Sequence, residues 1–303
     1  MKIAFFSETG NNQRYPRDFP NARTECAWAI ALDAPMCNLN VLPDEKFDLG
    51  IVIIPKNNPN VSLDFIRKCC DKVAVMQEGP HWFFQDYSIE QQFKYFNTLM
   101  DADWIYCHNN SDVDYYRGLG CEDVRVMRSL MITDGLIPRS EWGDTTMIGG
   151  NMVSWYGGFD SYIIAREIGN PMSAPSMGRK QQQEDSIEDI NYLPYMSWRD
   201  WIDCLSQYNI GVHLMRTHAA GTFALNCGFH GIPCIGYKGL DTQEILHPLT
   251  TVDVGDLEKA KNIAKKLKKY EKFYNLCSDT IKKKYESNYT EEVWKRNWEL
   301  RNK

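Results

Sequence analysis

What this chain of 303 residues lacks narrows the choices first. It has ten cysteines but no C-x-x-C pair, and Cys69 and Cys70 are adjacent in a segment that reads as helical. A disulfide scaffold or structural zinc site needs other spacings, so the thiols are expected to be buried and reduced, in a cytosolic protein. No apolar run approaches the roughly 20 residues of a membrane-spanning helix, and Leu49 to Pro55 is strand-sized. The opening Met1-Lys2-Ile3-Ala4-Phe5-Phe6 is cut off by Ser7-Glu8 too early for a secretory leader and reads as a first strand. The sequons at Asn60, Asn109 and Asn288 then carry no weight. A G-x-G-x-x-G fingerprint is missing after that strand, which argues against a dinucleotide site there. Basic residues are outnumbered, 34 against 40, and the net charge of −6 argues against a long nucleic-acid footprint.

What is present alternates strand with helix. Lys2 to Ser7 is followed by a polar loop containing Glu8, then by a helix expected to be capped by Asn21, with Ala27, Ile30, Ala31 and Ala34 on one face. Phe47 to Pro55 is the near-continuous apolar run of a strand covered on both faces. Val61 to Cys70 reads as helix and Lys72 to Gln77 as strand, ending in Glu78-Gly79-Pro80-His81-Trp82-Phe83-Phe84. A carboxylate, an imidazole and three aromatics directly after a strand suit a substrate loop, and suit equally a capped turn packed on the next helix. Asp101-x-Asp103 and Asp112-x-Asp114 match the metal-binding D-x-D pattern, but Asp103 precedes the strand Trp104 to Cys107 and Asp112 falls in a first helical turn, where acids complement the dipole. No metal is expected. Strand Val124 to Met127 closes the first half, Asp134 to Pro138 reads as a linker, and Thr145 to Ile148 opens the second half before Gly149-Gly150-Asn151. The lysines of Lys259 to Lys269 lie opposite an apolar stripe of Leu257, Ala260, Ile263, Ala264 and Leu267, the pattern of a solvated face.

The chain centres on Asn209 to Leu240. Ile210, Val212 and Leu214 form a strand, and a loop with Arg216, His218, Ala220 and Gly221 follows. A helix from Thr222 to His230 is then stopped by Gly231, with Pro233 and the strand Cys234-Ile235-Gly236 beyond. The helix start offers unpaired N–H groups to a phosphate, and Gly221 lets the backbone approach it.

On this stretch the chain resembles the GT-B nucleotide-sugar glycosyltransferases, in particular their large retaining group. That group carries two glutamates separated by seven residues before a G-x-P-V turn; here Gly231-Ile232-Pro233-Cys234 takes the turn's place, with His218 and Asn226 at the two glutamate positions. The resemblance implies an α/β fold of two Rossmann-like domains facing across a cleft: an acceptor-side domain over 1–138, a nucleotide-sugar domain over 139–284, and a helix over 285–303 that crosses back to the first. It implies a nucleotide-diphosphate sugar such as a UDP-sugar as donor substrate, with no further cofactor and no metal. Donor contacts fall on Gly149, Gly150, Arg216, His218, Ala220, Gly221, Thr222 and Asn226, with Asn226 on the ribose. The family's arginine and lysine near the diphosphate are missing at their usual spacing, leaving Arg179, Lys180 and Arg216 as substitutes. An inverting reaction needs a base, for which Glu78, His81 and Glu8 are the candidates; a retaining one does not.

The compact chain is similar to phage-encoded glycosyltransferases that decorate hydroxymethylated bases in DNA, which implies DNA as an acceptor and the host cytoplasm as the location. A glycan or small-molecule acceptor stays open. So do an epimerase or hydrolase on the same architecture and a non-catalytic sugar-nucleotide or glycan-binding protein.

Overall fold

The computed structural model describes residues 1–56, 58, 61–77, 79–150, 152–175 and 187–302, with Ser154 by its backbone alone. Glu78, Asn151, Arg179 and Lys180, singled out above, lie outside the described residues. The chain divides into two compact units: 1–134 with 218–220 and 291–303, and 135–217 with 221–290. These divisions fall a few residues from the expected boundaries at 138 and 284.

The first unit carries β1 (Ile3–Ser7), β2 (Met36–Asn38), β3 (Phe47–Ile54), β4 (Cys70–Gln77), β5 (Trp104–Cys107) and β6 (Val124–Val126). They form one parallel sheet in the order β2-β1-β3-β4-β5-β6. Its helices are α1 (Thr24–Ala31), α2 (Leu63–Arg67), α3 (Ile89–Asp101) and α4 (Asn110–Gly118). β3 is apolar but for Asp48 because helices cover both faces of such a sheet, and all its residues but Asp48 are buried. Two local expectations need correction. Asn21 does not cap α1: it accepts from Arg23 Nε at 2.9 Å in the turn before the helix, and Arg23 occupies the cap position. The helix expected over Val61 to Cys70 is only α2, because Ser62 starts it late and Cys70 already pairs with Phe47 in the sheet, so Cys70 is a strand residue.

In the second unit β7 (Thr145–Ile148), β8 (Met172–Pro175), β9 (Ile190–Leu193), β10 (Tyr208–His213), β11 (Cys234–Tyr237) and β12 (Thr251–Val252) form a second parallel sheet. Its order is β12-β11-β10-β7-β8-β9. In chain order this is 3-2-1-4-5-6 read from β9, the doubly wound arrangement that reverses between its first and fourth strands. Around it lie α5 (Gly158–Ile168), α6 (Trp198–Leu205), α7 (Thr222–His230), α8 (Asp241–Leu246), α9 (Leu257–Lys269) and α10 (Glu271–Asn288). α10 runs past the expected boundary at 284, where Tyr285 packs on Phe229 of this unit with ring centres 5.9 Å apart. The last helix, α11 (Glu291–Arg301), counts with the first unit; its buried Trp294 donates to the Arg128 carbonyl at 2.8 Å. Among the described residues no helix is long and apolar enough to cross a membrane.

The second unit is fastened by polar groups at the end of α7. Arg139 donates to the carbonyls of His230, Gly231 and Tyr208 at 3.0, 3.1 and 2.9 Å and to the Tyr274 hydroxyl at 2.7 Å, so a cation satisfies the carbonyl end of the helix. His230 accepts the Arg139 amide on Nδ1 at 3.1 Å and donates from Nε2 to Ile202 O at 2.9 Å. His247 accepts the Cys234 amide and donates to Ala224 O in the same way, at 3.2 and 2.9 Å. Both imidazoles are therefore held neutral in one tautomer, and burial pushes each down to about 4.

A group lowered from 6.5 to about 4 takes up its proton more readily in the unfolded chain, so acid favours unfolding from pH 6.5 downward and alkali above that has no effect through it. At pH 5 the expected loss is about 2 kcal/mol per imidazole. Urea titrations should give a lower midpoint at pH 5 than at pH 7; equal midpoints would show that these histidines do not control acid stability.

Candidate functional site

In an open parallel sheet, ligands bind beyond the carboxyl ends of the strands where the order reverses. In the second unit that place lies between β7 and β10. The chain leaves β7 through Gly149 and Gly150 toward α5, and leaves β10 through Leu214 to Gly221 toward α7. The two exits are bound together. Gly149 N donates to Val212 O at 2.8 Å, Leu214 N to the buried Ser161 hydroxyl at 2.9 Å, and Thr217 Oγ1 to Trp155 O at 2.9 Å. A Cβ on Gly157 would stand 1.9 Å from Leu214 O, and one on Gly149 would stand 2.5 Å from Phe223 Cδ1. Only glycine lets these segments approach so closely.

Gly221 caps α7 in the left-handed conformation, φ 65°. A Cβ there would meet Thr242 Oγ1 at 2.1 Å, while the Thr242 hydroxyl donates to Gly221 O at 2.9 Å. The first-turn amides of Thr222, Phe223 and Ala224 have no partner within the helix, as at any helix start. Arg216, 59% exposed, holds Asp160 at 3.1 Å; Asp160 also accepts from the Tyr237 hydroxyl at 3.1 Å, so groups following β10 and ending β11 meet on one carboxylate of α5. His213 ends β10 against Phe223, ring centres 5.4 Å apart, and burial pushes it down to about 4. Its buried Nε2 has no hydrogen-bond partner.

Asn226 and His218 lie differently from expectation. Asn226 is 3% exposed, and in the amide orientation that satisfies both neighbours it accepts from Trp201 Nε1 and donates to Thr222 O, each at 3.0 Å. Its amide is thus engaged inside the fold rather than offered to a ribose. His218, with Ala219 and Ala220, counts with the first unit, although the residues on either side belong to the second. Asn109 Nδ2 donates to Ala219 O at 3.0 Å and the Ser129 hydroxyl to Ala220 O, so that short segment is tied to the ends of β5 and β6.

Two polar loci stand out in the first unit. At the order reversal between β1 and β3 a cavity of about 450 Å³ is lined by Glu8, Asn40, Asn58 and Ser62 among others. The second locus follows β4 and β5. His81 opens a short 3-10 turn after β4, Asp112 sits in the first turn of α4 after β5, and His218 joins them. Asp112 Oδ1 lies 3.3 Å from His81 Nδ1 and 3.5 Å from His218 Nδ1, and Oδ2 accepts the Asn109 amide at 3.2 Å and Nδ2 at 3.0 Å. Burial pushes the Asp112 carboxyl up, but the hydrogen bonds from His218, His81 and Asn109 outweigh it and hold it below the usual carboxylate range. The other D-x-D acids are structural: Asp101 pairs with Arg67 at 2.8 Å and Asp103 accepts the Val73 amide at 2.8 Å. Read as a helix-start acid, Asp112 was legible only in part; the missing signal is that His81 and Asp112 follow neighbouring strands of one parallel sheet. Asp160 and His213 carried no signal of their own.

No family model and no curated protein matches the chain. Solved structures do. A sucrose-phosphate synthase from Thermosynechococcus elongatus superposes with a TM-score of 0.68 at 11% identity, covering 99% of this chain and 98% of that one. An alpha-glucosyltransferase in complex with UDP and a 13-mer DNA containing an HMU base superposes with a TM-score of 0.65 at 14% identity, covering 100% and 99%. S. aureus TarM, in complex with Fondaparinux, alpha-GlcNAc-glycerol and UDP, gives a TM-score of 0.66 at 9% identity over 86% of this chain; the chain spans 56% of TarM's length. At these identities the likeness is one of fold, and the chain has the GT-B glycosyltransferase fold.

Gly221→Ala adds a Cβ where both φ and Thr242 forbid it, so a loss of about 1–3 kcal/mol in stability is expected. Thermal unfolding of this variant beside Gly169→Ala, whose added Cβ meets nothing within 4 Å at a similar φ of 72°, separates the clash from the backbone strain. Equal losses would show that the approach of Thr242 to Gly221 constrains nothing.

Proposed function

We propose that the protein transfers a sugar from a nucleotide-diphosphate sugar, with UDP-sugars as the donor class, to a hydroxyl acceptor. The observation that carries this reading is the order reversal at β7 and β10, where two glycine-lined exits meet at the amide end of α7. In glycosyl transfer the nucleoside diphosphate leaves, and the charge that develops on it needs donors already in place. The Thr222, Phe223 and Ala224 amides supply them, with Gly149 and Gly221 letting the backbone of both exits pack closely at that helix start. Arg216 is the nearby cation, and a bound diphosphate would compete with Asp160 for it. The fold and length shared with structures solved with UDP support this choice of donor.

The first unit then serves the acceptor. Of the candidate bases, His81 is directed at Asp112, whereas Glu8 lines a cavity at the reversal of the first sheet; an inverting reaction therefore takes Glu8 as its base. A hydroxymethylated base in DNA is the acceptor favoured here, on the full-length likeness to the alpha-glucosyltransferase solved with HMU-containing DNA. The net charge of −6 confines that contact to a local surface.

Thermal unfolding with UDP, UDP-glucose and related donors, with and without magnesium, tests the donor site. A donor at about 100 times its Kd adds about 2.7 kcal/mol and raises Tm, and no shift with any nucleotide sugar overturns the reading. Labelled-sugar transfer to hydroxymethylated duplex DNA at low salt tests the acceptor. Donor binding without DNA labelling redirects the search to glycans and small molecules. Donor consumption without any acceptor marks a hydrolase or epimerase, and binding without turnover marks a binding protein. Glu8→Gln is expected to slow an inverting transfer by about 10²-fold at unchanged donor affinity.

A further inference from the structure

We propose that His81, Asp112 and His218 bind one divalent transition-metal ion of the Zn²⁺ class. One ring nitrogen from each imidazole and one carboxylate oxygen all lie within 4.8 Å of one another.

The distances suit hydrogen bonds to Asp112 and also ligands gathered on one ion. Charge-assisted N–H···O contacts to a carboxylate close to about 2.7–2.9 Å. Here two imidazoles approach the same Asp112 oxygen and stop at 3.3 and 3.5 Å. A tetrahedral ion about 2.0–2.1 Å from each ligand holds neighbouring ligand atoms about 3.3 Å apart. The two nitrogen–oxygen gaps fit such a shell.

The surroundings fit as well. Asp112 Oδ2 is occupied by the Asn109 amide and side chain, which orients Oδ1 toward the imidazoles. His81 packs on Tyr115 with ring centres 4.1 Å apart. His218 is positioned by the bonds that hold Ala219 and Ala220 beside it. Asp112 is 6% exposed, His81 16% and His218 29%, so the site is recessed yet open on the His218 side. Two nitrogens and one oxygen suit zinc, cobalt or iron(II) rather than magnesium or calcium, which take oxygen ligands. Three protein ligands leave a fourth position for water, the pattern of reactive rather than structural zinc sites. The assignment uses residues of the first unit alone and does not depend on the donor reading.

The test is cobalt(II) titration of the chelator-treated, full-length protein, followed by optical absorption, with zinc as competitor. One cobalt per chain is expected, with ligand-field bands of a low-coordinate nitrogen–oxygen site and displacement by zinc. His81→Ala and His218→Ala, checked for folding by circular dichroism, should each weaken binding by more than about 100-fold, because ligand loss exceeds the 10- to 100-fold cost of losing a supporting contact. Binding unchanged in both variants, or bands of sulfur-to-cobalt charge transfer from any of the ten thiols, would overturn the proposal. So would the absence of a ligand-field spectrum in the wild type. UDP-glucose stabilisation measured on His218→Ala reports separately on the donor site.

Discussion

The second unit depends on the close approach of two backbones. β7 and β10 lie side by side, yet their following segments must depart toward different helices, and the space between them has no room for side chains. Gly149 and Gly157 meet Phe223 and Leu214 at distances that a Cβ would violate. Ser161, fully buried, spends its hydroxyl on the Leu214 amide. These contacts satisfy backbone groups that would otherwise be stranded at the strand ends and hold the loops in one arrangement. Arg139 and His230 do the corresponding work at the other end of α7, which is secured at its carbonyl end.

The first unit uses the same parallel architecture with its reversal one strand from the start. Its two polar loci divide along the sheet: Glu8 and the cavity at β1 and β3, the histidine–aspartate cluster at β4 and β5. Asp112 links helix formation to chemistry. Its Oδ2 completes the capping box with Asn109, and the same bonds aim Oδ1 at the two imidazoles.

Much of the fold was legible because its signals are local. The apolar run Phe47–Ile54, the stretch Tyr208–His213 and the Gly231 stop after α7 each follow from composition and period within a few residues. The lysine stripe on α9 was legible for the same reason, and Ala260, Ile263, Ala264 and Leu267 are its buried face. Errors arose where a tertiary contact overrode local preference. Cys70 looked helical, but strand pairing to Phe47 claims it; Asn21 looked like a cap, but the chain turns through Asn21 and enters the helix at Thr24. Gly149 and Gly150 follow β7 and Gly221 and Thr222 start α7, positions that spacing anticipated because glycine at a strand end and a helix start is itself a local signal.

Side-chain partnership was not legible in this way. Spacing put His218 and Asn226 at matched positions with seven residues between them, but Asn226 turns inward to Trp201 while His218 joins Asp112, more than a hundred residues away in the chain. By itself, the sequence determined an α/β chain of two parallel-sheet halves and the glycine-bounded helix start at Gly221, because strand periodicity, helix stops and backbone freedom are properties of neighbouring residues. Only the tertiary structure decided the order of the strands, the fastening of Leu214 to Ser161, and the meeting of His81, Asp112 and His218. Those depend on which strand ends become neighbours, and parallel strands are brought together by crossovers that leave no mark in local sequence.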